Sequence, residues 1–116
     1  MLFMASIIYD PSSPRRADDP ATLQPQHAAL EAELRQAGQH RVGAGLYPAE
    51  HGKRIDKRRG MTQITDGPFA ETKEAIGGFF IYECDDIPAA VEIGTRIPCD
   101  SRSFVEVRPL GLLHLD

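Results

Sequence analysis

Gly78-Phe79-Phe80-Ile81-Tyr82-Glu83-Cys84, running straight into Asp85-Asp86-Ile87-Pro88, is the stretch on which the fold turns. Aromatic and β-branched side chains fall at both odd and even positions, which reads as a strand covered on both faces. Asp85-Asp86 then offers an N-cap, and Pro88 suits the first turn of a helix from Ile87 to about Arg96. Gly94 weakens that helix, and Pro98 bars its extension much past Ile97. A strand that passes directly into a helix is half of a βαβ arrangement.

The other half lies upstream. Leu2-Phe3-Met4-Ala5-Ser6-Ile7-Ile8-Tyr9 has the same two-sided apolar pattern and stops at Asp10-Pro11. Ser12 to Pro20 reads as a polar, proline-rich, mobile loop carrying Arg15 and Arg16, with Asp19-Pro20 opening a separate turn. A helix is expected from about Leu23 to Ala37, with Pro25 in its first turn and Gly38 as terminator. Arg41 to Tyr47 reads as a second strand, in which Gly43 and Gly45 allow close backbone approach or mark a bulge. Lys53 to Lys57 and Met61 to Thr65, joined by Arg58-Arg59-Gly60, form a polar hairpin. Ser103 to Arg108 is the last strand before Pro109.

The order is strand, helix, strand with a hairpin, strand, helix, strand. That is α+β: a ferredoxin-like split βαβ with an added β-hairpin, an antiparallel sheet carrying two helices on one face. Two helices cover one face only, whereas Leu2–Tyr9 and Phe79–Cys84 are apolar on both. A second copy of the sheet, related by a twofold axis, is the simplest cover, so a homodimer through the sheet face is expected.

Composition sets the remaining bounds. A chain of 116 residues is expected to be one domain, 1–116. Its net charge of -4, with cations dispersed apart from the hairpin run, argues against nucleic-acid and anionic-membrane partners. Leu2–Tyr9 is far too short to span a bilayer, and no basic run precedes it. Cys84 and Cys99 match no zinc or redox spacing and read as buried or half-buried free thiols, consistent with a reducing cytoplasm. His40, His51 and His114 show no metal-site spacing with one another or with His27. No phosphate loop, dinucleotide fingerprint or nucleophile elbow occurs, so no cofactor is expected.

Two features carry candidate chemistry. In the first helix Leu23, Leu30, Leu34 and Ala37 mark an apolar stripe, and His27 sits on it where an aliphatic residue belongs. An imidazole there is either a core histidine bonded to a carbonyl or carboxylate, or a general base at the helix–sheet seam. The second feature is Asp66-Gly67-Pro68-Phe69-Ala70-Glu71-Thr72-Lys73-Glu74, followed by Ile76-Gly77-Gly78-Phe79. Gly67-Pro68 constrains the backbone and projects Phe69. The loop either caps the sheet with its charges in water, or walls a pocket in which Asp66 and Glu71 offer carboxylates and Lys73 an anion contact. Tyr9, Tyr47 and Tyr82 read as interface packing. Glu106 and Arg108 reach a cavity or pair across a dimer.

The wording of residues 66–79 resembles the signature of the DGPF group within the YCII-related proteins, a widespread bacterial family. The resemblance implies a dimeric α/β-barrel. It also implies a helix opening on Pro-x-His, matched here by Pro25-Gln26-His27, with Leu30, Leu34 and Gly38 following in register. In such relatives the His pairs with an Asp that precedes a Pro after the second helix. Here that place is Ile97-Pro98, and Asp100 is nearby but out of register. Either another carboxylate orients His27 or the dyad is not used. Related dimeric α/β-barrels include isomerases, lyases and oxygenases, an analogy of fold alone. The leading expectation is a cofactor-independent enzyme acting on an unknown small molecule, with His27 as acid/base and the motif as rim. The alternatives are a non-catalytic ligand-binding or accessory domain, and a purely structural dimerisation module.

Overall fold

The computed structural model describes residues 1–67 and 74–114. In chain order the elements are β1 (Leu2–Tyr9), α1 (Gln24–Gln36), β2 (His40–Gly45), a 3₁₀ turn (Ala49–His51), β3 (Lys53–Asp56), β4 (Gln63–Asp66), β5 (Ala75–Glu83), α2 (Ile87–Thr95) and β6 (Ser103–Pro109). Four strands form the main sheet in the order β2-β5-β1-β6, with each neighbouring pair antiparallel. This is the ferredoxin-like order, with β1 and β5 central as their two-sided apolar patterns require. β3 and β4 form a separate two-stranded sheet. No described helix is long and apolar enough to cross a membrane.

Register decides which side chains meet. Phe3 lies opposite Tyr82, Ala5 opposite Phe80 and Ile7 opposite Gly78, all on the face that α1 and α2 cover. Leu30 and Leu34 from α1, and Ala90, Ile93 and the following Ile97 from α2, close that core. Burying each large side chain stabilises the fold by about 1.5–3 kcal/mol. Tyr82 is fully buried and its hydroxyl donates to the Ala90 carbonyl at 2.8 Å, tying strand to helix. α2 starts where Asp86 accepts from the Ala89 N–H at 3.0 Å, the cap expected from Asp85-Asp86. α1 has no side-chain cap, and an Arg96–Glu33 ion pair at 2.6 Å joins the two helices at the surface.

Among the described residues no helix covers the opposite face, on which Ser6, Ile8 and Ile81 are buried and Met4 and Phe79 half-buried. Met4 lies beside Ile81 and Arg108, Ser6 beside Phe79 and Glu106, and Ile8 beside Phe104. Ile76 and Phe104 on this face are 50% and 42% exposed.

Several expectations need correction. The second strand ends at Gly45, before Leu46 and Tyr47, although the Leu46 N–H still donates to the Gly77 carbonyl at 2.9 Å. The pairing slips between His40 and Val42, so the irregularity precedes both glycines. Ala37 is an exposed C-cap and not part of the apolar stripe. Tyr82 faces the helices and not an interface, and Tyr47 is exposed. Cys84 is buried but Cys99 is exposed, because the chain has left the core after Ile97. The loop read as mobile is held to the body: Asp19 accepts from the Ser101 N–H at 3.0 Å and the Ser101 hydroxyl at 2.7 Å.

Candidate functional site

A cavity of about 630 Å³ opens on the helix face, where β1 ends and β5 begins. The first turns of α1 form one wall through Leu23, His27 and Glu31, and residues 98–103 form another. Its floor is cut by Gly43, Gly45, Gly77 and Gly78, and Ile7 and Phe80 add apolar surface.

His27 is half-buried on this wall, one turn before the buried Leu30 and two before Leu34. Its ring stands edge-on to Phe80, with centroids 5.7 Å apart. Nε2 lies 2.7 Å from the Pro98 carbonyl oxygen. A carbonyl only accepts, so Nε2 carries the hydrogen and Nδ1 is the basic nitrogen of the neutral ring. The partner is thus a carbonyl, while the ring still borders a cavity. Ile97, where the resemblance implies an Asp, is buried in the core, and α2 ends just before it. Among the described residues, the polar partner of His27 is thus the Pro98 carbonyl and not a carboxylate.

Asp100 is fully engaged. Its Oδ1 accepts from the Arg102 N–H at 3.0 Å and the Ser103 hydroxyl at 2.8 Å. Its Oδ2 accepts from Arg102 Nε at 3.4 Å and Nη2 at 3.2 Å. Arg15 Nε approaches Oδ2 to 3.9 Å. Burial raises the Asp100 pKa, but the Ser103 hydroxyl and the Arg102 N–H and guanidinium outweigh it and hold the carboxyl below the usual range. Arg102 is further fixed by stacking over Tyr9, 5.2 Å from ring centroid to Cζ. Partial burial of the Cys99 thiol, with Asp100 beside it, pushes that thiol up and away from the reactive thiolate.

The β2 side carries carboxylates. Glu31 reaches over Gly43, where a Cβ would come within 2.5 Å of its Oε1, so glycine makes room for this side chain. Glu31 also pairs with Arg35 at 3.5 Å. Nearby, His40 Nε2 is buried with no hydrogen-bond partner among the described residues, and desolvation lowers the His40 pKa. Glu50 lines the cavity from the 3₁₀ turn.

Of the residues singled out from sequence, His27 borders the cavity. Asp66 does not: it ends β4, is exposed and pairs with Lys53. Phe69, Glu71 and Lys73 lie outside the described residues. Gly67 has a definite role, because a Cβ there would sit 1.8 Å from the Ala49 carbonyl oxygen. Its N–H donates to the Gly52 carbonyl at 3.0 Å. Gly67 therefore buttresses the turn that carries Glu50. Arg102, Glu31 and Glu50 were missed. Glu31 was findable as the residue one turn after His27 on the same helix face. The Asp-x-Arg-Ser spacing from Asp100 to Ser103 is a local turn signature that was also available. Among the described residues, no three His, Cys, Asp or Glu side chains gather as a metal set.

The model of the YCII-related domain matches residues 1–111. A protein from Rhizobium meliloti (strain 1021), itself described as uncharacterised, is 32% identical over 87 residues, which is 73% of this chain and 70% of the relative. With nearly its whole length matched, the chain belongs to the YCII-related domain family.

Proposed function

We propose that this protein is a cofactor-independent enzyme of small-molecule metabolism that moves a proton with His27. One observation carries the reading: an imidazole borders a cavity of about 630 Å³ with its Nε2 hydrogen committed to the Pro98 carbonyl. Nδ1 is then the basic nitrogen, and Phe80 and the carbonyl hold the ring. In the simplest step a substrate C–H proton passes to Nδ1 and its electron pair remains on the substrate as an enolate. The imidazolium then returns a proton at the same or a neighbouring carbon, which makes the reaction an isomerisation or a related proton transfer. Gly67, by supporting the Glu50 turn, fits the motif as rim and not as engine. The wording of residues 66–74 supports the DGPF group within the family, and the two free cysteines fit a reducing cytoplasm.

A second copy covering the open sheet face belongs to the same proposal. Ile76 and Phe104, the exposed apolar residues on that face, with Phe79 half-buried and Glu106 and Arg108 beside them, suit a self-complementary interface. One observation favours the non-catalytic alternative: the imidazolium gains no carboxylate partner, since Asp100 is committed elsewhere. Ligand binding without turnover is the outcome that reading predicts.

Deuterium wash-in separates the two. Small carbonyl acids that raise the melting temperature are incubated with the protein in D₂O and followed by proton NMR. Loss of the α-proton signal with wild type, abolished in His27→Gln although the ligand still binds, is expected. Binding by wild type with no exchange in any ligand would leave a binding module in place of an enzyme.

A further inference from the structure

We infer that Arg102 is the anion anchor of the cavity and that its ligand is a small monocarboxylate whose apolar body lies against Ile7, Leu23 and Phe80. This names the substrate class of the proposed proton-transfer site and rests on that site being where the ligand sits. Arg102 and Asp100 both line the cavity, but their capacities differ. A carboxylate has about four acceptor positions, and those of Asp100 receive the Arg102 N–H, Nε and Nη2 and the Ser103 hydroxyl. Asp100 has nothing left to offer a ligand. The guanidinium has five N–H donors, and among the described residues only Nε and one hydrogen of Nη2 are used. Three donors remain on a side chain that is only 23% exposed.

Preorganisation strengthens the assignment. Asp100 grips one edge of the guanidinium, and the Tyr9 ring supports its plane at 5.2 Å. A surface arginine loses rotamer freedom when it captures an anion; this one has lost it beforehand. The fork geometry suits a planar carboxylate. His27 lines the same cavity, and its partner Pro98 is two residues before Asp100 in the chain.

The charge pattern favours an anion of one unit, because Arg102 is the one Lys or Arg among the described lining residues. Glu31 and Glu50 line the cavity from the β2 edge, and sheet order puts β5 and β1 between that edge and β6. At about 4.8 Å per strand, the acidic edge is roughly 14 Å of backbone from the arginine edge. Arg102 supplies the single cation among the described lining residues and already shares its charge with Asp100, so a monocarboxylate can be balanced there whereas the second charge of a phosphate dianion finds no partner. The apolar wall then takes the rest of the molecule.

The test uses benzoate, benzamide and phenyl phosphate as probes of the whole protein, read by the Arg102 Nε–Hε resonance and the His27 ring signals. Benzoate is expected to shift both sets, and benzamide and phenyl phosphate to bind roughly tenfold more weakly or not at all. Arg102→Gln should weaken benzoate roughly tenfold or more, while His27→Gln retains it. Arg102→Lys keeps the charge without the fork and should fall between; a wild-type amide fingerprint in it guards against a misfolded Gln variant. Equal binding of benzamide, tighter binding of phenyl phosphate, or unchanged benzoate affinity in both Arg102 variants overturns the proposal. Because binding alone is read, benzoate capture in a protein that never exchanges deuterium would remove the enzyme reading and keep the anion anchor.

Discussion

Replacing Asp100 by Asn tests whether the wall of the cavity is held as its hydrogen bonds indicate. The carboxylate accepts at Oδ1 from the Arg102 N–H and the Ser103 hydroxyl, and at Oδ2 from Arg102 Nε and Nη2. An asparagine carbonyl placed at Oδ1 preserves the first pair. Its amide then stands where Oδ2 was, donor facing donor against the guanidinium. Two charge-assisted bonds are lost, but Arg102 can turn toward water, so the cost should be about 2 kcal/mol at pH 7. For a domain of this size that is roughly 8 °C in melting temperature. The sign of the pH dependence follows from the lowered folded-state pKa. Such a carboxyl contributes stability above its unfolded value near pH 4 and loses it as pH falls through the lower folded value. Urea titrations of both proteins should show the gap at pH 7 narrowing below about pH 4. Equal stability at pH 7, or a gap that persists unchanged into acid, would refute the reasoning.

Other substitutions probe separate parts of the molecule. Tyr82→Phe removes the buried 2.8 Å bond to the Ala90 carbonyl and should cost about 1 kcal/mol in urea denaturation, with no change in secondary structure. Gly67→Ala forces a Cβ against the Ala49 carbonyl, so about 1–3 kcal/mol should be lost and the amide signals of Ala49–His51 should move. Phe104→Asp puts a charge on the sheet face that the proposed dimer would cover and should yield a folded monomer by sedimentation, against a dimer expected for wild type; wild type sedimenting as a monomer at micromolar concentration would sink the dimer itself.

Most of the fold was legible because its signals are local and repeated. The two-sided apolar patterns of Leu2–Tyr9 and Phe79–Cys84 mark the central strands, and Asp86, Pro88 and Gly38 bound the helices where the structure has them. What misled was local too: Leu46 and Tyr47 have strand propensity, but Gly45 is the last residue with a paired neighbour on β5. The site was only half legible. His27 stood out because a polar ring interrupts an apolar stripe, a one-dimensional signal. The Arg102–Tyr9 stack and the Asp19–Ser101 bonds join residues far apart in the chain, and no spacing rule anticipates them. Nor does periodicity show that a carbonyl, supplied by the chain leaving α2, would receive the His27 hydrogen.

The detached β3–β4 hairpin has a mechanical consequence. A lone two-stranded ribbon is marginal in water, and the cross-strand pair Ile55 and Ile64 is exposed at 62% and 64%. Gly67, immediately after β4, presses on Ala49 and bonds to Gly52, so the base of the ribbon and the turn bearing Glu50 share one anchor. The ribbon therefore cannot be displaced at its base without disturbing the contacts that hold the turn bearing Glu50, on the rim of the cavity.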